Sequence, residues 1–301
     1  VTRSAPLLSL SLLLASGLLA ACSPAPRAAA PLRVIAAESP WGAVARAVAG
    51  RNATVTSVID NPALDPHEYT PTAAVAAEVA TADLVVDNGL GYDRFMTSLL
   101  STGATHPRAV VTAATVLGVT DEAANPHLWY SIERVPTVAA AIEAALAKAD
   151  PVHAADYRAN LARFDASLQP LDAALERIKV ARHGAPVAQT ERVAGYLLGQ
   201  AGLDVASPTA FSLAIESGQE PSAQATEQMT QLLSSRGVDA LVENTETVSP
   251  VTEQVVAEAR ASSIPVVGVS ELVEPRGASF ASWQARQIAE LARALGMGAT
   301  T

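Results

Sequence analysis

A single cysteine, at position 22, means that no internal disulfide can form. Aromatic residues make up 4% of the chain and charged ones 17%, and nowhere do lysines and arginines gather into a basic patch. That absence, with 30 acidic against 20 basic residues, argues against nucleic acid as a partner and suits a cationic ligand. Enzyme signatures are missing too. There is no H-E-x-x-H zinc helix, no Gly-x-Ser-x-Gly elbow and no Gly-rich phosphate loop, and "GLGYDR" (89–94) lacks the third glycine of the dinucleotide pattern. A secreted metallohydrolase needs an open coordination position and a nearby base, so it fits poorly.

Half of the 301 residues are hydrophobic, enough for one large or two medium α/β domains with real cores. Residues 1–21 read as a secretory signal: Arg3 gives the positive region, "APLLSLSLLLASGLLA" the apolar region and "LAA" the small residues before a cleavage site. The stretch is too short for a membrane span. Cys22 directly after it resembles a bacterial lipobox, which makes Cys22 the lipidated first residue of the mature chain; the alternative is ordinary signal cleavage. "SPAPRAAAP" (23–31) then reads as a tether completing residues 22–31. Loss of the signal removes one of the 20 basic residues and none of the 30 acidic ones, leaving a net charge of −11.

Beyond the tether, apolar β-branched runs alternate with Ala-rich helical stretches. "LRVIAA", "ATVTSVI", "DLVVDN" and "RAVVTA" read as strands of a first lobe (32–150), and "APVAQT", "DALVEN" and "PVVGVS" as strands of a second (184–301). The alternation implies parallel sheets covered on both faces. Between the lobes, residues 151–183 carry apolar positions at helical spacing through Pro170, which predicts one long connecting helix. The expected fold is thus α/β, two doubly wound lobes joined by that helix, with a ligand crevice at the strand ends.

His67, His127, Glu191 and Glu271 all fall at strand ends or in the loops that follow, 60, 64 and 80 positions apart, and such ends open on one crevice. Two imidazoles and two carboxylates make a complete shell for a divalent transition metal. The spacing contains no compact motif, so it is weak by itself. His106, His153 and His183 read as structural: after a turn, at the opening of the connector, and at its end, where a cation suits the helix dipole.

The local sequences "DPHEYTPT", "ADLVVDNGLGYDRFM", "NPHLWYSIERV", "EPSAQATEQMTQLL" and "IPVVGVSEL" resemble the zinc- and manganese-binding solute-binding lipoproteins of bacterial ABC importers, the cluster A-I family. The resemblance runs through nearly the whole mature chain and implies two lobes joined by one long helix. It implies that the metal ligands are His67, held between Pro66 and Pro71, His127 beside Trp129, Glu191 five residues before Tyr196, and a fourth acid after the last core strand. That acid is usually aspartate in the family. Glu271 stands there, with Glu243, Glu246 and Glu216 as competitors. The long His- and Asp-rich loop of many zinc importers is absent.

The resemblance further implies Mn²⁺ or Zn²⁺ as transported ligand, a permease with its ATPase subunit as partners, a monomer without enzymatic activity, and lipid anchorage on the outer face of the cell membrane. Glutamate as third ligand leans towards manganese; intrinsic affinity favours zinc. A related branch of the fold takes organic iron chelates or cobalamin, which need basic or aromatic clefts that this composition disfavours. A structural or adhesive lipoprotein leaves the four polar residues unexplained. "EPSA" (220–223) reads as a helix start with Ser222 as N-cap.

Overall fold

The β-branched runs form short parallel strands. A computed structural model describes residues 1–2, 30–61 and 69–298, so the expected leader, Cys22, most of the tether and His67 lie outside the described residues. In the first lobe β1 (Leu32–Glu38) leads into α1 (Ser39–Ala49), followed by β2 (Ala53–Ile59), α2 (Ala73–Ala80), β3 (Leu84–Asp87), α3 (Arg94–Ser101), β4 (Ala109–Thr112), α4 (Ala113–Val116) and α5 (Val135–Ala149). All pairings are parallel, in the order β2-β1-β3-β4, with Val34 opposite Leu84 and Leu84 opposite Ala109. Every residue of β3 is buried, as expected for a strand covered on both faces. Gly42 is needed where α1 crosses β2, because a Cβ there would lie 2.0 Å from Ser57 Oγ.

The connector α6 (Ala154–Arg182) runs unbroken for 29 residues. Its buried face, Tyr157, Asn160, Phe164, Leu168, Leu171, Leu175 and Ile178, advances by three or four residues at each step. Pro170 falls on the exposed side, where the carbonyl deprived of its partner meets water rather than the core. His153 at the helix start sits with Nδ1 2.5 Å from Asp150 Oδ2, and His183 caps the other end, as expected of structural histidines.

The second lobe repeats the plan. After β5 (Pro186–Gln189) come α7 (Gly195–Gln200), β6 (Asp204–Val205), α8 (Thr209–Glu216), α9 (Ala223–Ser234), β7 (Ala240–Asn244), α10 (Pro250–Ala261), β8 (Val266–Val269) and α11 (Phe280–Ala294). Its parallel sheet has the order β6-β5-β7-β8. Both sheets therefore reverse direction between their first and third strands, which opens a crevice beyond the carboxyl ends of those strands. Packing of α6 against α1, α5 and α11 ties the lobes together. One hydrophobic core runs from Val34 and Trp41 through Phe164 and Leu175 to Val187 and Trp283.

Three elements were not foreseen: β6, with only two residues, both exposed; α8; and α5, a helix of its own before the connector. Ser222 does cap α9, its hydroxyl accepting from Ala225 N at 3.2 Å. Among the described residues no helix is long and apolar enough to cross a membrane.

Candidate metal centre

The loop after β3 is built to push one tyrosine across the lobe boundary. Gly89, Leu90 and Gly91 all have positive φ, a run that two glycines make accessible, and the Asp93 carboxylate closes it by accepting from the backbone N of Asn88 and Gly89 at 2.5 and 3.0 Å. Tyr92 then emerges buried, its hydroxyl donating to Glu271 Oε2 at 2.5 Å. This residue, unremarked in the sequence, is the first lobe's link to the acid after β8.

His127 follows a similar logic. Asn125 Oδ1 accepts from the backbone N of His127 at 3.0 Å and lies 2.7 Å from its Nδ1, while Asn125 Nδ2 donates to Arg192 O at 2.6 Å. With the amide oriented by both contacts, Nδ1 is the ring donor and Nε2 faces away, 3.4 Å from Glu271 Oε2. Tyr92 and Trp129 pack edge-on around the imidazole, each with its ring centroid 5.6 Å from it, so Trp129 does wall the histidine. Burial lowers the His127 pKa, but the hydrogen bond and charge of Glu271 outweigh it and leave a net rise.

The second lobe supplies acids from neighbouring strand ends. Glu191 follows β5, Glu271 follows β8, and Asn244 ends β7 between them. Asn244 Nδ2 donates to Glu191 Oε2 at 3.1 Å and to Glu271 Oε1 at 2.8 Å. Burial, then the charge of Glu271, pushes Glu191 up to about 7. The competitors are engaged elsewhere. Glu216 holds Arg192 through both carboxylate oxygens at 2.6 and 2.9 Å. Glu246 accepts from the backbone N of Glu271 at 2.9 Å and of Leu272 at 3.2 Å, and burial followed by the Glu271 charge lifts it to about 8. Glu243, one residue before Asn244 on the same strand, faces the opposite side and lines a separate cavity with Arg260 and Pro265.

Thus His127, Glu191 and Glu271 meet in one buried polar seam between the lobes; His67 lies outside the described residues. Among the described residues no three His, Cys, Asp or Glu side chains are close enough to hold a metal ion by themselves. A cavity of about 410 Å³ borders the seam, lined by Tyr92, Pro126, Arg192 and Glu216 among others. Glu38, wholly buried at the end of β1, is raised by burial and then by Asp93, Asp87 and Glu271. Acids so crowded and dehydrated repel one another, and a divalent cation relieves that repulsion. His106, by contrast, bonds Asp83 Oδ1 at 2.9 Å far from the seam in sequence and role.

Sequence reasoning missed Tyr92, Asn125, Asn244 and Glu38. A polar residue closing an apolar strand was the available signal for Glu38 and Asn244; Tyr92 and Asn125 carried none beyond their loops.

Among known families, the model described as zinc-uptake complex component A, periplasmic (ZnuA), matches residues 34–294. The iron-binding protein YfeA of Yersinia pestis is 33% identical over 137 residues, 44% of either chain. The manganese-binding lipoprotein MntA of Bacillus subtilis is 30% identical over 147 residues, 47% of this chain and 48% of that one. The matched segments thus span less than half the length of these relatives. In structure, the SBP FpvC from Pseudomonas aeruginosa in complex with Mn²⁺ superposes with a TM-score of 0.74 at 25% identity, covering 89% of this chain and 99% of that one.

Proposed function

The chain belongs to the periplasmic zinc-uptake component A family, and from that premise we propose that it captures one divalent transition metal ion, Mn²⁺ or Zn²⁺, and delivers it to an ABC permease. The ion is cargo, held by His67 and His127 from the first lobe and Glu191 and Glu271 from the second. One observation carries the reading: a buried imidazole and two buried carboxylates from opposite lobes share one hydrogen-bonded seam at the strand ends. Four protein ligands saturate the ion rather than leaving a reactive position, which is binding chemistry and not catalysis.

Ligands divided between lobes make metal binding tighten the seam, and the permease reads that closed form. Docking that draws the lobes apart separates the ligands and releases the ion to the ATPase-driven pore. The names of relatives such as the Bacillus subtilis lipoprotein support an anchor through lipidated Cys22 on the outer face of the membrane, with the chain acting as a monomer.

The test is elemental analysis of protein purified without chelators, followed by competitive titration of the stripped protein with Mn²⁺ and Zn²⁺. One equivalent of metal, with affinity lowered on the order of a hundredfold or more in His67→Ala and in Glu271→Gln but not in Glu243→Gln, is expected, since even outer residues of a metal site are worth about 10–100-fold. Unchanged affinity in His67→Ala overturns the ligand set, and loss in Glu243→Gln but not Glu271→Gln moves the fourth ligand.

A further inference from the structure

The middle strand of the second sheet ends in a residue that neither the ligand set nor the family resemblance uses. Because the strand order is β6-β5-β7-β8, the carboxyl end of β7 lies between those of β5 and β8, which lead to Glu191 and Glu271. Register brings the three level: Gln189, two residues before Glu191, pairs with Val242, two before Asn244, and Asn244 pairs with Val269, two before Glu271. Asn244 is 2% exposed, so its amide must be satisfied inside the protein.

How it is satisfied fixes which way the amide faces. Asn244 Oδ1 accepts from the backbone N of Glu246 at 3.1 Å, which leaves Nδ2 for the acids. Its two hydrogens are shared among Glu271 Oε1 at 2.8 Å, Glu191 Oε2 at 3.1 Å and Thr247 Oγ1 at 3.1 Å. One amide therefore holds one oxygen of each carboxylate. The other oxygens differ in surroundings: Glu191 Oε1 is buried with no hydrogen bond among the described residues, and Glu271 Oε2 is the atom near His127 Nε2.

Coordination number follows from this arrangement. A carboxylate that binds an ion through both oxygens must give up a hydrogen bond made to either one. With both acids tethered to the same amide, two bidentate carboxylates require that Asn244 lose both partners at once. Two imidazole nitrogens and one oxygen from each acid give four donors, the tetrahedral preference of Zn²⁺, whereas Mn²⁺ favours about six, largely oxygen.

We propose that Asn244 is a specificity-determining residue: it holds Glu191 and Glu271 as single-oxygen ligands and so biases the site towards a four-coordinate ion such as Zn²⁺ over Mn²⁺. This rests on the assignment of those two acids as ligands. Asn244 itself touches no metal; it sets the donor count through its neighbours.

The experiment uses Co²⁺ as a probe of the unmodified protein, because four-coordinate Co²⁺ absorbs strongly in the visible and six-coordinate Co²⁺ weakly. Strong absorption is expected, together with a Mn²⁺-to-Zn²⁺ affinity ratio that rises about tenfold in Asn244→Leu and Asn244→Ala, a typical size for loss of an outer partner. A purely structural role for Asn244 weakens both ions alike and leaves the ratio fixed, which overturns the inference. A weak, six-coordinate Co²⁺ spectrum in the unmodified protein overturns it too, whether or not the variants fold. If Co²⁺ binds and His127→Ala loses it while the spectrum is six-coordinate, the coordination argument alone falls; if the unmodified protein takes up no metal, the proposed function falls with it.

Discussion

Asn125 does for the imidazole what Asn244 does for the acids, yet with a different expected signature. Its side-chain oxygen faces His127 Nδ1 at 2.7 Å and its amide donates to Arg192 O at 2.6 Å, one residue from Glu191. The Tyr196 hydroxyl adds a third strut, donating to Asn125 O at 2.9 Å. A ligand histidine whose second nitrogen is held by a fixed acceptor keeps the correct tautomer and ring orientation. Replacing Asn125 by leucine removes the acceptor and should weaken Mn²⁺ and Zn²⁺ alike by about 10–100-fold. Asn125→Asp keeps an acceptor for Nδ1 and should recover much of the loss. Isothermal titration of both variants with both ions checks this; an unaltered affinity in Asn125→Leu means that the ring is held by its aromatic neighbours alone.

At the scale of elements, the connector is where stability should concentrate. Leu175 is 1% exposed on the buried face of α6 and belongs to the core that both lobes share. Leu175→Ala is expected to cost about 2–5 kcal/mol, the range for truncating a buried leucine. Urea denaturation should show the midpoint falling with an unchanged slope, because the surface exposed on unfolding hardly changes. A loss near zero would mean that the lobes hold together without the connector's packing. The same helix shows what sequence could reveal. Its apolar stripe persists across Pro170 and announces one element, and "LVVD" and "ALVEN" announce strands by their β-branched runs. The two-residue β6 has no room for any pattern, and α8, "TAFSLAIE", sits in a stretch without strong punctuation. Glu191 and Glu271 were legible as polar residues just past apolar strands. That Asn244 stands between them was not, because strand order is a property of the folded sheet and leaves no mark on any one segment.

At the scale of the whole molecule, the seam explains how a small cargo acts on a large structure. Tyr92, Asn125 and His127 reach from the first lobe to Glu271 and Arg192 of the second, and Tyr130 adds a bond from its hydroxyl to Ser270 O at 2.7 Å. Burial and mutual repulsion raise Glu191, Glu246 and Glu38, so the metal-free seam carries an electrostatic cost that a divalent ion offsets. An ion that binds only the folded protein stabilises it by mass action, by about 2.7 kcal/mol at a free concentration one hundred times Kd. Thermal or urea unfolding with and without Zn²⁺ should show that increment, and His127→Ala should abolish it. Where the stabilisation appears is the sharper question. If the ligands are split between the lobes, amide hydrogen exchange should slow on metal binding both around residues 88–93 and 123–131 and around 190–195, 244–247 and 270–273. Local openings at the two sets of loops are otherwise independent, and only an ion held by both couples them. Protection confined to one set would place all the ligands in one lobe, and the closed form read by a permease would then need another origin.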